Sequence, residues 1–320
     1  MFQAMSKINA GLVIPRDNSG STGLLAAVQQ AESRGVPQVW STVGGASHDP
    51  VTAFAAAAAT TESIGLGTAV VPVYPIHPIA LASQTLALEG LAPGRIRLGI
   101  GTSHRPNIED RFGIPMVKPL SYLREYLTVL RALLWEGSVD FDGEFLHVHT
   151  ALPEGIAPSK TPLPISALRK NAFELAGELS DGAITWITPI HHILTTGIPA
   201  MERGAEKAGR TQRPPVIAHV PVAVSTDRAA AREAFRAQFP VYSKLPFYAN
   251  MFADAGYPVT AAGEMTDELV DELLVSGSAG EIRERLLSIQ GQGIEELIIS
   301  PVGVKDAAEE LAVLSEIVSG

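Results

Sequence analysis

Short apolar runs alternate with helical patterns along the whole chain. Ile8–Ile14, Gln38–Ser41, Ile64–Val73, Arg95–Ile100, Leu163–Ala167, Ala183–Ile187, Val216–Val224 and Leu297–Ser300 read as strands. They are nearly continuous in apolar residues, as strands buried on both faces are. Gly23–Arg34, Asp49–Thr61, Pro78–Leu91, Pro119–Trp135, Asn171–Leu179 and Ile198–Ala208 read as the helices between them. Leu120, Leu123, Leu127, Leu130 and Leu134 give the fourth helix a clear apolar stripe, and Pro78 suits the first turn of the third. Two stretches depart from the alternation. Phe141–His149, around Gly143, reads as a hairpin, and Asp227–Leu274 as a helical insertion broken near Pro240, Pro246 and Pro258. Eight strand–helix units predict an α/β fold, a (β/α)8 barrel with its insertion between strands seven and eight. A doubly wound open sheet is the rival. No linker or low-complexity tract divides residues 1–320, which are expected to form one domain.

Strand ends on such a barrel are where chemistry collects. The stretch RIRLGIGTSHRPN, Arg95 to Asn107, runs from a strand through glycines into Thr102, Ser103 and His104. Histidine titrates near neutrality and can move a proton, so His104 is the leading catalytic candidate. Trp40 and Trp186 end predicted strands and are candidates for an aromatic wall of the substrate pocket. Arg169 and Lys170 stand at a helix start, where cations oppose the helix dipole; that placement suggests a bound anion. Arg105 reads equally as a salt-bridge partner of Glu109 or Asp110, and His77 as a helix cap. Glu144, His147 and His149 offer metal-ligand chemistry without an obvious further ligand, so no metal is expected. GIGTSH lacks the third glycine of a dinucleotide fingerprint.

Composition narrows the classes. The 320 residues are 46% hydrophobic and 18% charged, with formal net charge -10 and no cysteine. A large core is available, while thiol catalysis and disulfides are excluded. No basic stripe favours nucleic acid. No apolar run approaches membrane-spanning length, and the N-terminus lacks a charged region before a long apolar stretch, so the expectation is a soluble cytoplasmic protein.

Three segments, IGLGTAVVPVYPIHP (Ile64–Pro78), RIRLGIGTSHRP (Arg95–Pro106) and FELAGELSDGAITW (Phe173–Trp186), resemble those of the bacterial luciferase-like oxidoreductases, and more narrowly of the branch that uses the deazaflavin coenzyme F420. The resemblance implies a barrel with a late insertion and a cofactor, F420 or alternatively FMN, across the C-terminal strand ends. It implies a non-prolyl cis peptide at Ala69–Val70 behind the cofactor ring, cofactor contacts from Thr102 and Ser103, and an acid/base at His104, where relatives commonly carry Glu. It places the cofactor phosphate at Ala167, Leu168, Arg169 and Lys170. There the family's usual Gly-Pro is missing, and two cations offer charge instead of backbone cradling. The Asp-His pair frequent after strand two would fall at Val43 and Gly44 and is absent. The resemblance further implies a homodimer. The expected activity is hydride transfer between F420 and a small organic substrate. The alternatives are an FMN-dependent monooxygenase, a non-catalytic flavin-binding protein, and a metal-dependent barrel hydrolase.

Overall fold

A computed structural model describes residues 7–14, 20–43 and 48–320. Its strands are β1 (Ala10–Val13), β2 (Gln38–Ser41), β3 (Gly65–Pro72), β4 (Ile96–Gly101), β5 (Ser138–Asp142), β6 (His147–Ala151), β7 (Ile165–Ser166), β8 (Ala183–Thr185), β9 (Val216–Ala223), β10 (Val275–Ser276) and β11 (Glu296–Pro301). Eight of these are parallel and close a barrel in the order β1, β2, β3, β4, β7, β8, β9, β11, with β11 back on β1. The barrel and its late helical insertion are as the alternation predicts. β5 and β6 form the antiparallel hairpin outside the barrel. β10 adds to the end of β9.

Local sequence sets most boundaries. Asp49 Oδ2 accepts from the Thr52 amide at 2.8 Å and starts the helix Pro50–Thr60. His77 Nδ1 accepts from the Ile79 amide at 3.3 Å and starts the helix Pro78–Leu91, so this histidine is a cap. The sixth strand ends at Thr185, earlier than Ile187, because Ile187 takes a left-handed φ of 47°. The alternation predicts no strand or helix between Leu274 and Leu297, yet β10 and the helix Ala279–Gly291 lie there. A reciprocal capping box between Ser278 and Glu281 begins that helix.

Inside the barrel, Val13, Trp40, Ala69, Ile184, Ile217 and Ile298 pack together. Trp40 is fully buried there. Gly11 and Gly67 on the flanking strands make its room, since a Cβ at Gly11 would sit 2.7 Å from the indole Nε1 and one at Gly67 would overlap the ring. This corrects the placement of Trp40 as a wall of the substrate pocket. Gly99 and Gly101 have a similar use. Added Cβ atoms would overlap the Thr68 carbonyl and the Ser166 side chain, so these glycines let β3, β4 and β7 close on one another.

The helices Lys170–Leu179 and Ile198–Lys207 cross at two glycines. A Cβ on Gly177 would overlap the Met201 carbonyl, and one on Gly204 the Glu174 carbonyl. Alanine is the better helix former by about 1 kcal/mol, but the obstruction here is backbone. Gly204→Ala is therefore expected to destabilise the fold by about 2 kcal/mol net, read as a lower urea midpoint. An unchanged or raised midpoint would mean that propensity wins.

No helix among the described residues is long and apolar enough to cross a membrane.

Candidate active site

The C-terminal ends of the strands open on a cavity of about 1040 Å³. That is the scale of a site for a large ligand. β2 contributes its following residues Thr42 and Val43, and β3 contributes Ala69, Val70 and Pro72. The Ala69–Val70 peptide is cis, as the resemblance implied, and the β3–β4 register shifts between Thr68 and Val71. Thr102, Ser103 and His104 follow β4, and Leu168, Arg169, Lys170 and Asn171 follow β7. Ile184 and Trp186 come from β8 and its end. The cavity thus brings together Ala69, Val70, Thr102, Ser103, His104, Leu168, Arg169, Lys170 and Trp186. Trp40 does not line it, and Ala167 is buried and does not line it either. Val43 does; Gly44 lies outside the described residues.

Ser103 has a left-handed φ of 58°, which turns the chain sharply after β4 and swings His104 into the cavity wall. Neither Thr102 nor Ser103 hydrogen-bonds His104. The Thr102 hydroxyl points to the Ser103 carbonyl, and Asn107 Nδ2 reaches Ser103 Oγ, each at 3.5 Å. Rings, not hydroxyls, flank the imidazole. Tyr248 lies 5.5 Å and Tyr242 6.4 Å from His104, centroid to centroid. Both tyrosines come from the helical insertion, between its helices Arg228–Gln238 and Pro246–Asp254 and within the latter. Burial holds the His104 pKa below its ordinary value, and its Nδ1 is buried without a partner. At pH 7 the ring is neutral and able to accept a proton.

The turn after β7 carries the charge. Arg169 Nε donates to Asp254 at 2.7 Å, which ties this turn to the insertion. Lys170 makes no ion pair among the described residues. The helix Lys170–Leu179 has no side-chain cap at Arg169, so its first amides are left to other partners. Below the turn, His192 donates from Nε2 to the Leu168 carbonyl at 3.1 Å and fixes the backbone there.

Several lining residues have no counterpart in the sequence reading: Lys118, Tyr242, Phe247, Tyr248 and Asp254. The aromatic density of FPVYSKLPFYANMF, Phe239–Phe252, is the signal that could have found the wall. His219 on β9 was also missed. It is fully buried, stacks on Trp186 with centroids 3.6 Å apart, and its Nδ1 accepts from the Ile187 amide at 3.2 Å. It therefore backs the indole and holds the left-handed turn that presents it.

The remaining polar candidates resolve as surface structure. Arg105 pairs with Glu109 and donates to the Met116 carbonyl at 3.1 Å. His147 and His149 bind Asp142 and Asp140 across the hairpin, and Lys118 binds Glu144. Among the described residues no group of three or more metal-ligating side chains is arranged to hold a metal ion.

Comparisons with known proteins agree with this architecture. Residues 11–296 match the family described as luciferase-like monooxygenase. An uncharacterized protein of Mycobacterium tuberculosis is 32% identical over 66% of this chain; the match spans 66% of that protein, just under two thirds of its length. A protein of Beutenbergia cavernae named F420-dependent glucose-6-phosphate dehydrogenase is 32% identical over 74% of this chain and 72% of its own. Among solved structures, an F420-dependent secondary alcohol dehydrogenase in complex with an F420-acetone adduct superposes with a TM-score of 0.81 over 98% of both chains, at 20% identity. At that identity the likeness shows the barrel alone. With the family match covering nearly the whole barrel, the chain belongs to the luciferase-like monooxygenase family.

Proposed function

We propose that this protein is an F420-dependent oxidoreductase that moves a hydride between the deazaflavin and a small organic alcohol or carbonyl compound. The observation that carries the reading is His104, a neutral, half-buried imidazole in the wall of a large barrel-mouth cavity, with a cationic, uncapped helix start across the same cavity. The family relative named as F420-dependent supports the choice of cofactor.

The residues present fit such a group. Val70 and Ile184 offer apolar surface to a flat ring, while Lys170, Arg169 and the free amides of the helix start suit a phosphate. When bound, the deazaflavin supplies the hydride donor or acceptor that the side chains lack. The chain's own part is to bind, exclude water and handle the proton. In alcohol oxidation, neutral His104 accepts the hydroxyl proton as the carbon gives up hydride. In carbonyl reduction, protonated His104 returns it to the oxygen. Such help is worth roughly 10²–10⁴-fold. The reading also carries the family expectation of a homodimer, which sedimentation of the purified chain would measure.

The test is anaerobic turnover. Reduced F420 mixed with enzyme and a panel of ketones and aldehydes should return to the oxidised deazaflavin spectrum. Oxygen uptake with reduced FMN, without deazaflavin turnover, would select the FMN monooxygenase reading instead.

The anion site gives a further prediction. Changing Arg169 and Lys170 together to alanine should raise the F420 dissociation constant at least tenfold, about 1.4 kcal/mol, in a fluorescence titration. Added salt should weaken wild-type binding. An unchanged constant in the double variant would make both residues ordinary surface cations.

A further inference from the structure

One wall of the cavity is uncharged and aromatic. Trp186, Tyr242, Phe247 and Tyr248 line it beside His104. Tyr242 and Tyr248 meet at 4.9 Å, both approach His104, and Tyr242 joins Phe239, which closes on His219 behind Trp186. Burial raises both phenols above their ordinary range, so they stay neutral hydroxyls.

The charged lining groups are elsewhere and largely engaged. Lys118 is bound to Glu144 and Arg169 to Asp254. Lys170, together with Arg169, stands at the uncapped helix start that suits the cofactor's phosphate. Among the described lining residues no second unengaged cation remains for an anionic substrate. The one lining carboxylate, Asp254, is already paired with Arg169 and does not serve a cationic one. Burying an unpaired anion against this wall would be costly, whereas apolar surface gains by burial there; a quaternary ammonium, which aromatic faces attract, is the competing occupant that a choline probe tests.

We infer that the reacting partner is an uncharged alcohol or carbonyl compound with an apolar, ring-sized body, held by the wall of Trp186, Tyr242, Phe247 and Tyr248 with its oxygen toward His104. The inference deepens the F420 reading and rests on it for the chemistry. In the oxidation direction the carbinol C–H bond breaks and its electron pair leaves as hydride to the deazaflavin. The O–H proton passes to His104 and the C=O bond forms; reduction reverses each step.

Calorimetry tests the wall with three probes: cyclohexanone, glucose 6-phosphate and choline. Each is titrated into the protein saturated with F420 and into the protein alone. The expected result is that cyclohexanone binds at least tenfold more tightly than either charged probe. Phe247→Asp should weaken cyclohexanone at least tenfold while leaving the F420 constant within about twofold. Phe247 is 38% exposed, so this variant is expected to fold. Trp186→Leu gives an independent second lesion of the wall. Tighter binding of glucose 6-phosphate or choline, or cyclohexanone binding unchanged in both variants, would overturn the inference. Failure of F420 to bind while the order of the three probes persists would strike the cofactor reading alone.

Discussion

His104→Ala is expected to leave F420 binding within a few-fold and to lower turnover by roughly 10²-fold or more, the scale of lost acid–base help. The pH dependence gives the sharper signature. Burial holds the His104 pKa below its ordinary value of 6.5. Alcohol oxidation needs the neutral ring. Its rate should therefore rise with pH along an acid limb centred below 6.5 and be flat through neutrality. Carbonyl reduction needs the protonated ring, so its rate should fall as pH rises through the same point. Both limbs should vanish in the alanine variant. Normal turnover with an unchanged profile would make His104 a wall residue only, and the proton would then come from water in the cavity.

The second large effect is on stability. Full burial lowers the His219 pKa from 6.5 to about 3. The folded state thus binds this proton more weakly than the unfolded state. The stability tied to the neutral ring is complete above 6.5 and is lost as pH falls from there toward 3. Between pH 7 and pH 4 the loss from this one group is about 3 kcal/mol. His192 and His104 are also lowered by burial and act in the same direction. Urea unfolding of the wild type and of His219→Gln at both pH values separates the contribution. The drop in unfolding free energy on acidification should be smaller by about 3 kcal/mol in the variant. Equal drops would mean that His219 is protonated in the fold or is not buried.

The parts of this architecture that were legible in the sequence are those that depend on one segment at a time. A barrel strand buried on both faces must be apolar along its length, so β3, β4 and β9 announce themselves. The strand-four turn was legible for a similar reason: GTSH puts its polar residues together immediately after the strand. The cationic turn Arg169–Lys170 was equally visible, although its pairing with Asp254, 85 residues away, was not.

What was not legible depends on neighbours distant in sequence. Trp40 looks like a mouth residue by position; it sinks into the barrel because Gly11 and Gly67 on the adjacent strands leave space for an indole. The aromatic wall comes from an insertion whose packing over the mouth no local pattern specifies. His219 sits in an apolar run, and only the left-handed Ile187 and the plane of Trp186 give it a role. The helix Ala279–Gly291 is different. Its capping residues Ser278 and Glu281, and the spacing of Ile282, Leu286 and Ile289, were present to be read.

A paired equilibrium titration decides whether this barrel mouth holds a deazaflavin. Purified protein is titrated with F420 and with FMN in parallel, followed by fluorescence, at low and raised salt. F420 is expected to bind more tightly than FMN, and salt to weaken its binding because the anionic tail meets Lys170, Arg169 and the uncapped helix start. Tighter binding of FMN, or no binding of F420, would contradict the deazaflavin reading.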